Sequence, residues 1–106
     1  MPIAEFELTV LLAVLHCGSQ AYAVSVQDEI ERRSGRKASS GAVYVTLDRL
    51  ERKGLLRSRL GESTAERGGR AKRFYALSKQ GLSALKAERQ FMRRMWGGLE
   101  HLVDKP

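Results

Sequence analysis

The sequence predicts a mostly helical α+β fold, in which three short helices precede a β-hairpin and a longer helix follows it. Apolar residues recur at helical spacing in four segments, two short central segments alternate like strands, and a polar, glycine-rich stretch separates those two. A chain of 106 residues has room for one domain and an appended helix. We therefore expect the domain over residues 1–78 and the helix over residues 79–106.

The first expected helix runs from about Ala4 to His16 and is apolar on almost every side. One face consists of Leu8, Leu11, Leu12 and Leu15, and the other consists of Phe6, Val10, Ala13 and Val14. A helix of this kind is buried on two sides. One face packs within its own domain, and we expect Phe6, Val10 and Val14 on the other face to contact a second copy of the chain.

The third helix is expected to open at Gly41, after a second helix over about residues 24–33. Its apolar stripe, spaced at i, i+4 and i+7, consists of Val43, Leu47 and Leu50. Either Ser39 or Ser40 can accept a hydrogen bond from the first turn. Gly54 follows at a point where a left-handed residue ends a helix. These signals define both ends of the helix.

The face of the third helix opposite the stripe is small at one end and cationic at the other. It consists of Gly41, Val45, Asp48, Arg49 and Arg52. A short helix with such a face fits the major groove of DNA. Two helices joined by a short turn, here containing Gly35, with such a face on the second of them, form a helix-turn-helix. The alternative is an ordinary surface helix with a solvated charged side.

A β-hairpin is predicted directly after the third helix. Residues 55–60 alternate, with Leu56, Ser58 and Leu60 expected on the inner side, and residues 72–77 form the returning strand. A hairpin at this place is a wing. Four basic residues lie at its tip or base, where they reach backbone phosphates or the minor groove: Arg67, Arg70, Lys72 and Arg73. The alternative is an exposed hairpin whose arginines only keep it soluble.

The positive charge of the chain is concentrated in one segment. The whole chain has a net charge of +7, whereas residues 32–73 hold 13 Lys or Arg against 4 Asp or Glu, a net +9. This asymmetry favours a polyanionic partner, double-stranded DNA in particular. A membrane surface is disfavoured because these basic residues lie on no strongly amphipathic helix.

The last helix is expected to start after a Ser78 cap and to continue from Gln80 to Val103. A heptad seam runs along it, consisting of Leu82, Leu85, Arg89, Met92, Trp96, Leu99 and Val103. The seam is too short for an independent coiled coil, so we expect Leu85, Met92, Trp96 and Leu99 to contact the first helix of a second copy in a homodimer. Gly97-Gly98 either ends this helix, kinks it or permits close helix approach.

Signals for catalysis, metal binding and export are lacking in the sequence. We find no nucleophile elbow, phosphate-binding glycine motif or paired carboxylates, so we expect no enzyme and no cofactor. His16 and His101 are isolated, which predicts no metal site. Cys17 is the one cysteine and is either a small buried residue or a thiol sensor. Without a basic n-region or a membrane-length apolar run, we expect a cytoplasmic protein.

The chain resembles the PadR family of winged-helix transcriptional regulators, and its compact subgroup with a single C-terminal helix. GAVYVTLDRLERKGLL is similar to the family's recognition helix, and GGRAKRFYALSKQG is similar to its wing and following turn. Val45 and Ala71 stand where many members have proline. The resemblance implies a homodimeric repressor that is released by a small molecule in some members.

The resemblance also implies which residues contact DNA and which bind an effector. The DNA contacts on the third helix are Ser39, Ser40, Gly41, Tyr44 and Arg49, with Arg70 and Lys72 on the wing; we add Val45, Arg67 and Arg73. Four residues either line a pocket for a flat hydrophobic ligand or fill the dimer interface: Phe91, Met92, Met95 and Trp96. Alternative functions are a winged-helix protein-interaction module and a non-specific nucleoid-binding protein.

Overall fold

The computed structural model describes residues 3–62 and 71–104, which form a winged helix-turn-helix domain followed by a C-terminal helix. The first three helices are α1 (Glu5–Cys17), α2 (Ala23–Ser34) and α3 (Ser40–Arg52), with a 3-10 turn at Gly18–Gln20. The hairpin strands are β1 (Leu56–Leu60) and β2 (Arg73–Leu77), and the chain continues as α4 (Lys79–Trp96) and α5 (Glu100–Val103). The predicted fold class is confirmed.

The core lies between the first three helices and the inner face of the hairpin. Its largest fully buried side chains are those of Val10, Leu11, Val14, Val26, Val43, Leu47 and Leu50. The predicted stripe of α3 is therefore confirmed, since all three of its residues have no exposed surface. Burial of a leucine or valine side chain stabilises the fold by about 1.5–3 kcal/mol, so this stripe anchors α3 and fixes which face remains outside.

The expected orientation of α1 is wrong. Val10 is 0% exposed and Val14 is 2% exposed within their own domain, so neither is available to a second copy. The outward residues are instead Leu12, 44% exposed, and Leu15, 47% exposed. Both faces of α1 are apolar, and contacts with α2, α3 and β2 decide which one is covered. Phe6, the third residue of α1 that was expected to contact a second copy, is half-buried against the edge of the core.

Both ends of α3 have the predicted caps. The Ser39 hydroxyl oxygen accepts a hydrogen bond of 3.1 Å from the Ala42 N–H, which satisfies one free donor of the first turn. At the other end, Gly54 has φ +80°, and the Leu55 N–H returns to the Leu50 carbonyl at 3.0 Å. The chain can therefore leave α3 and enter β1 within a few residues.

The hairpin is antiparallel, with Leu56 opposite Leu77 and Leu60 opposite Arg73. A further backbone bond joins it to the helices, because the Tyr75 N–H donates to the Ala21 carbonyl at 2.8 Å. Leu56 is buried as predicted, but Leu60 is 61% exposed, so its predicted inner position is wrong. Leu60 lies at the wing end of the sheet, away from the buried pair of Leu56 and Leu77 at the other end.

The last helix begins as predicted but ends earlier. The Ser78 hydroxyl oxygen accepts from the Gly81 N–H at 3.0 Å, and an added Cβ at Gly81 would lie 2.1 Å from the Leu55 carbonyl oxygen. The predicted continuous helix to Val103 is wrong, because α4 ends at Trp96 and Gly98 adopts φ +81°. The expected boundary between a domain over residues 1–78 and a helix over residues 79–106 stays a prediction. None of the described helices combines the length and the apolar character needed to cross a bilayer.

Candidate nucleic-acid interface

The predicted groove-facing residues of α3 all lie on its outer face. Gly41, Tyr44, Val45 and Arg49 are exposed, and Tyr44 is 62% exposed. Tyr44 therefore lies outside the core and is open to solvent. The outer face offers one small residue, one methyl surface, one phenol and one guanidinium in a row along the helix, a mixture that can meet both base edges and phosphates.

The two serines before α3 also have local structural roles. Ser39 caps the helix, and the Ser40 hydroxyl donates to the Gln27 side-chain oxygen at 3.0 Å. Gln27 in turn donates from its amide nitrogen to the Ala38 carbonyl at 2.7 Å. These bonds connect α2 to the start of α3 across the turn. The sequence did not reveal Gln27, because a single glutamine on the polar side of a helix has no pattern that marks such a bond.

The wing and α3 border the same concave surface. A cavity of about 370 Å³ is lined by Tyr44 of α3, by Leu60, Lys72 and Arg73 of the wing, and by residues 22–24 at the start of α2. The Gly61 N–H donates to the Lys72 carbonyl at 2.7 Å, which extends the hairpin pairing beyond the strands. The structure therefore brings Tyr44, Lys72 and Arg73 together, whereas Arg67 and Arg70 lie outside the described residues.

Arg73 is engaged within the domain. Its guanidinium donates to the Ser58 hydroxyl at 3.0 Å, and that hydroxyl donates to the Glu51 carboxylate at 2.6 Å. Glu51 belongs to α3, so these two hydrogen bonds join the base of the wing to α3. Arg73 was predicted as a DNA contact, and in the free protein its side chain holds the two elements in a fixed relation.

The cations of the basic segment divide into paired and unpaired groups. Glu29 pairs with Arg32 and Arg33, which hold its pKa below the usual range, and Asp48 pairs with Arg52 at 2.5 Å. Six other described cations of this segment form no ion pair: Lys37, Arg49, Arg57, Arg59, Lys72 and Arg73. Arg49 lies on α3 and the last four lie on the wing. Within the basic segment, five of the six unpaired cations thus lie on the elements expected to approach DNA, although α4 also carries cations that form no ion pair among the described residues.

One ion pair joins α1 to the end of α3. The Lys53 ammonium lies 2.7 Å from a carboxylate oxygen of Glu7, whose side chain is 5% exposed. The Ala4 N–H donates to the same carboxylate at 3.2 Å. The hydrogen bond from Lys53 is the main cause that holds the pKa of Glu7 below its usual range, against the opposing effect of burial. The residues are far apart in sequence, so no local pattern could have predicted this pair.

The base of the wing carries a cluster of cations and aromatic rings. The Lys72 ammonium lies 4.0 Å from the ring centre of Tyr22, and the Arg59 guanidinium lies 4.8 Å from that of Phe74. The two rings meet edge to face at 5.7 Å. Sequence reasoning placed Lys72 in the binding site but missed Tyr22 and Arg59. The KRFY segment places cations next to aromatic residues and so indicated that such contacts were available on the wing. The ring that Lys72 contacts, however, comes from the start of α2.

An apolar groove runs between α1 and α4 on another side of the domain. It has a volume of about 460 Å³, and its lining includes Leu8, Leu12, Leu15, Leu82, Leu85, Arg89 and Met92. Leu85, a predicted dimer contact, is already buried in the domain, whereas Met92, Trp96 and Leu99 are exposed. Of the four predicted effector residues, Met92 lines this groove, and Phe91, Met95 and Trp96 lie exposed on α4.

Two further predictions concern Cys17 and metal binding. Cys17 is half-buried, its thiol donates to the Ser25 carbonyl at 3.5 Å, and burial raises its pKa. A raised pKa makes the thiol less reactive, which favours a packing role over a sensor. Over residues 3–62 and 71–104, no cluster of three or more His, Cys, Asp or Glu side chains is arranged to hold a metal ion.

The comparison with protein families identifies one family. Residues 11–87 match the model of the transcriptional regulator PadR-like family. A PadR-like transcriptional regulator from Bacillus cereus is 19% identical, with 95% of this chain and 93% of that chain covered and a TM-score of 0.71. A PadR family regulator from Clostridium difficile is 21% identical, with 91% and 97% covered and a TM-score of 0.70.

A third solved structure has a similar fold. F93 from STIV, described as a winged-helix DNA-binding protein, is 17% identical, with 92% of this chain and 98% of that chain covered and a TM-score of 0.69. At these identities the solved structures show the fold alone. No curated protein matches the sequence.

Proposed function

Because the chain belongs to the PadR-like family of transcriptional regulators, which are DNA-binding proteins and not enzymes, we propose that it is a homodimeric, sequence-specific repressor. The observation that carries the proposal is the shared surface of α3 and the wing, where Tyr44, Lys72 and Arg73 line one cavity. A duplex that reaches the outer face of α3 therefore also reaches the wing.

In the proposed complex, α3 lies in the major groove. Val45 and Gly41 allow close approach, and Arg49, which forms no ion pair among the described residues, is free to donate to the edge of a guanine. Lys72 meets the backbone beside the groove, and the ring of Tyr44 spans the distance between the two. Phosphate contacts set the position of the domain, and contacts with base edges supply specificity.

A second copy covers the apolar surface between α1 and α4. Leu12 and Leu15 on α1 and Met92 and Trp96 on α4 expose large apolar side chains in a small domain. A twofold dimer buries these residues and presents two reading helices, which match two half-sites one helical turn apart. Occupation of such a site upstream of a gene excludes RNA polymerase, and this is how the dimer represses.

An effector site at this interface is the finer part of the proposal. The exposed side chains of Phe91, Met92, Met95 and Trp96 offer aromatic and thioether surface suited to a flat hydrophobic ligand. Such a ligand quenches the fluorescence of Trp96, which is the one tryptophan, and lowers the affinity for DNA. A screen of flat aromatic compounds with neither effect leaves Trp96 as an interface residue without a sensing role.

A gel-shift titration tests the function. The duplexes are the region upstream of the protein's own gene and a random duplex of equal length and composition, each at two salt concentrations. We expect a preference of about a thousandfold or more for the upstream duplex. We also expect the affinity for both duplexes to fall with salt in proportion to the phosphates contacted.

The result also separates the alternatives. Similar affinity for both duplexes would contradict operator reading and favour non-specific coating of DNA. Weak binding explained by charge alone, together with recovery of a protein partner, would favour a protein-interaction module.

A further inference from the structure

The cluster of cations and aromatic rings at the base of the wing fixes the position of Lys72. The proposed function places Lys72 beside the DNA backbone. The Lys72 backbone is held by the bond from the Gly61 N–H to its carbonyl, and its ammonium lies over the ring of Tyr22 at 4.0 Å. A lysine side chain is flexible and normally loses rotamer freedom when it binds a phosphate. Here both ends of the side chain are already placed in the free protein.

Tyr22 is itself held by the helix-turn-helix. Its N–H donates to the Ser25 hydroxyl at 3.0 Å at the start of α2, and the preceding carbonyl, that of Ala21, accepts from Tyr75 of β2. The ring therefore keeps a fixed position relative to α2 and to the sheet. The Lys72 ammonium that lies over this ring is therefore positioned relative to α2 and not only relative to the hairpin.

Phe74 completes the cluster from the sheet. Its ring meets Tyr22 edge to face and carries the Arg59 guanidinium on its face. The ring also lies across Gly61, where an added Cβ would be 2.6 Å from the ring edge. The absence of a side chain at Gly61 lets Phe74 lie flat at this point, so the two aromatic rings form one support for two cations.

This support suits contact with phosphate better than a carboxylate partner would. Among the described residues neither Lys72 nor Arg59 is paired with an acid, so their full charge faces outward. An aromatic face attracts a cation without cancelling its charge. Lys72 is also only half-exposed, so less of its side chain remains to be ordered on binding.

We propose that Tyr22 is a positioning residue of the DNA-binding surface, whose ring holds the Lys72 ammonium ready for a backbone phosphate, with Phe74 and Arg59 forming a second such pair. The proposal rests on the proposed function and deepens it. Because phosphates are the same in every sequence, the contribution of Tyr22 applies equally to specific and non-specific duplexes.

A double-mutant cycle tests the proposal by fluorescence anisotropy. The variants are Tyr22→Leu, Tyr22→Phe and Lys72→Met, together with both Tyr22 changes in the Lys72→Met background. Lys79→Met, at the start of α4, is the matched control for loss of one lysine charge. Each variant is titrated with the upstream duplex and with the random duplex over a salt series, and thermal unfolding shows that each one folds.

Tyr22→Leu should weaken binding to both duplexes by about two- to fivefold per half-site, the range expected for an exposed cation–π contact. Tyr22→Phe keeps the ring and should bind like the wild type. In the Lys72→Met background, Tyr22→Leu should have no further effect. Lys72→Met should also reduce the salt slope by about one per protomer, whereas Lys79→Met should leave it unchanged.

Three outcomes would overturn the proposal, and a fourth would leave it standing. Equal losses in Tyr22→Leu with and without Lys72 would make Tyr22 an independent contact or a structural residue. A loss in Tyr22→Phe as large as that in Tyr22→Leu would assign the effect to the hydroxyl. If no duplex binds to the wild type, this proposal and the proposed function fail together. Equal affinity for both duplexes with the coupling intact would remove sequence reading and leave the positioning role standing.

Discussion

The apolar stripe of α3 and the apolar end of α4 contrast in how they are covered. Val43, Leu47 and Leu50 on α3 have no exposed surface, whereas Phe91, Met95 and Trp96 on α4 are 41–59% exposed. Both helices show the same kind of sequence periodicity. The difference teaches that periodicity identifies an apolar face, whereas the surrounding elements decide whether the protomer or a partner covers it.

The largest effect is expected in the stripe. Leu47→Ala should lower the free energy of unfolding by about 2–5 kcal/mol, because it leaves a cavity in a fully packed site. Urea denaturation measures the loss, which should not vary with protein concentration if Leu47 belongs to the protomer's core. A loss below about 1 kcal/mol would indicate that the site is loosely packed.

The exposed end should respond differently. Trp96→Ala should weaken self-association by about 2 kcal/mol or more, roughly thirtyfold, as expected for an aromatic residue central to an interface. Sedimentation equilibrium measures this, and Leu60→Ala, a change of an exposed apolar residue on the wing, is the control. A wild type that stays monomeric at every concentration would show that the two regions do not differ in this way.

The pair that joins α1 to α3 gives a pH-dependent effect. Glu7→Gln should lower the free energy of unfolding at neutral pH by about 1–2 kcal/mol through loss of a charged hydrogen bond. Because the folded-state pKa of Glu7 is lowered, its contribution is complete above the ordinary glutamate pKa. That contribution disappears as the pH falls through the folded-state value.

Urea denaturation at a series of pH values measures the difference between wild type and Glu7→Gln. The two curves should converge in acid. A constant difference would mean that packing, and not the ion pair, accounts for the loss.

The smallest effect separates the two roles of Ser39. Ser39→Ala should cost about 1 kcal/mol, since it removes the cap of α3. Ser39→Asp restores a capping oxygen but places an anion beside the duplex, so it should keep stability and lose DNA affinity. Thermal unfolding and anisotropy together make the comparison. If Ser39→Asp binds DNA like the wild type, Ser39 lies away from the phosphates.

Local signals in the sequence predicted much of the fold. The caps at Ser39 and Ser78 and the turn at Gly54 depend on residues within one helical turn. They can therefore be predicted from consecutive residues of the sequence. The inner stripe of α3 was likewise predictable, because its outer face contains charged residues. The wing was predictable from two alternating segments around a polar loop.

The parts that sequence could not predict depend on distant contacts. Val10 and Val14 were expected to face a partner, but both faces of α1 are equally apolar and only the packed structure distinguishes them. The Glu7–Lys53 pair and the seat of Lys72 on Tyr22 join residues that are far apart in the chain. The sequence thus predicted which residues lie on the outer face of α3. It did not predict the parts of the candidate site that depend on contacts between residues distant in the chain.

The central claim is that the outer face of α3 reads DNA. The most direct measurement is the affinity for the upstream duplex and the random duplex in Arg49→Met and in Arg94→Met, which remove the same charge from α3 and from α4. Arg49→Met should reduce the preference for the upstream duplex by about tenfold or more, as expected for one lost contact to a base. Arg94→Met should leave that preference unchanged. Equal preferences in the two variants would contradict the assignment of α3 as the reading helix.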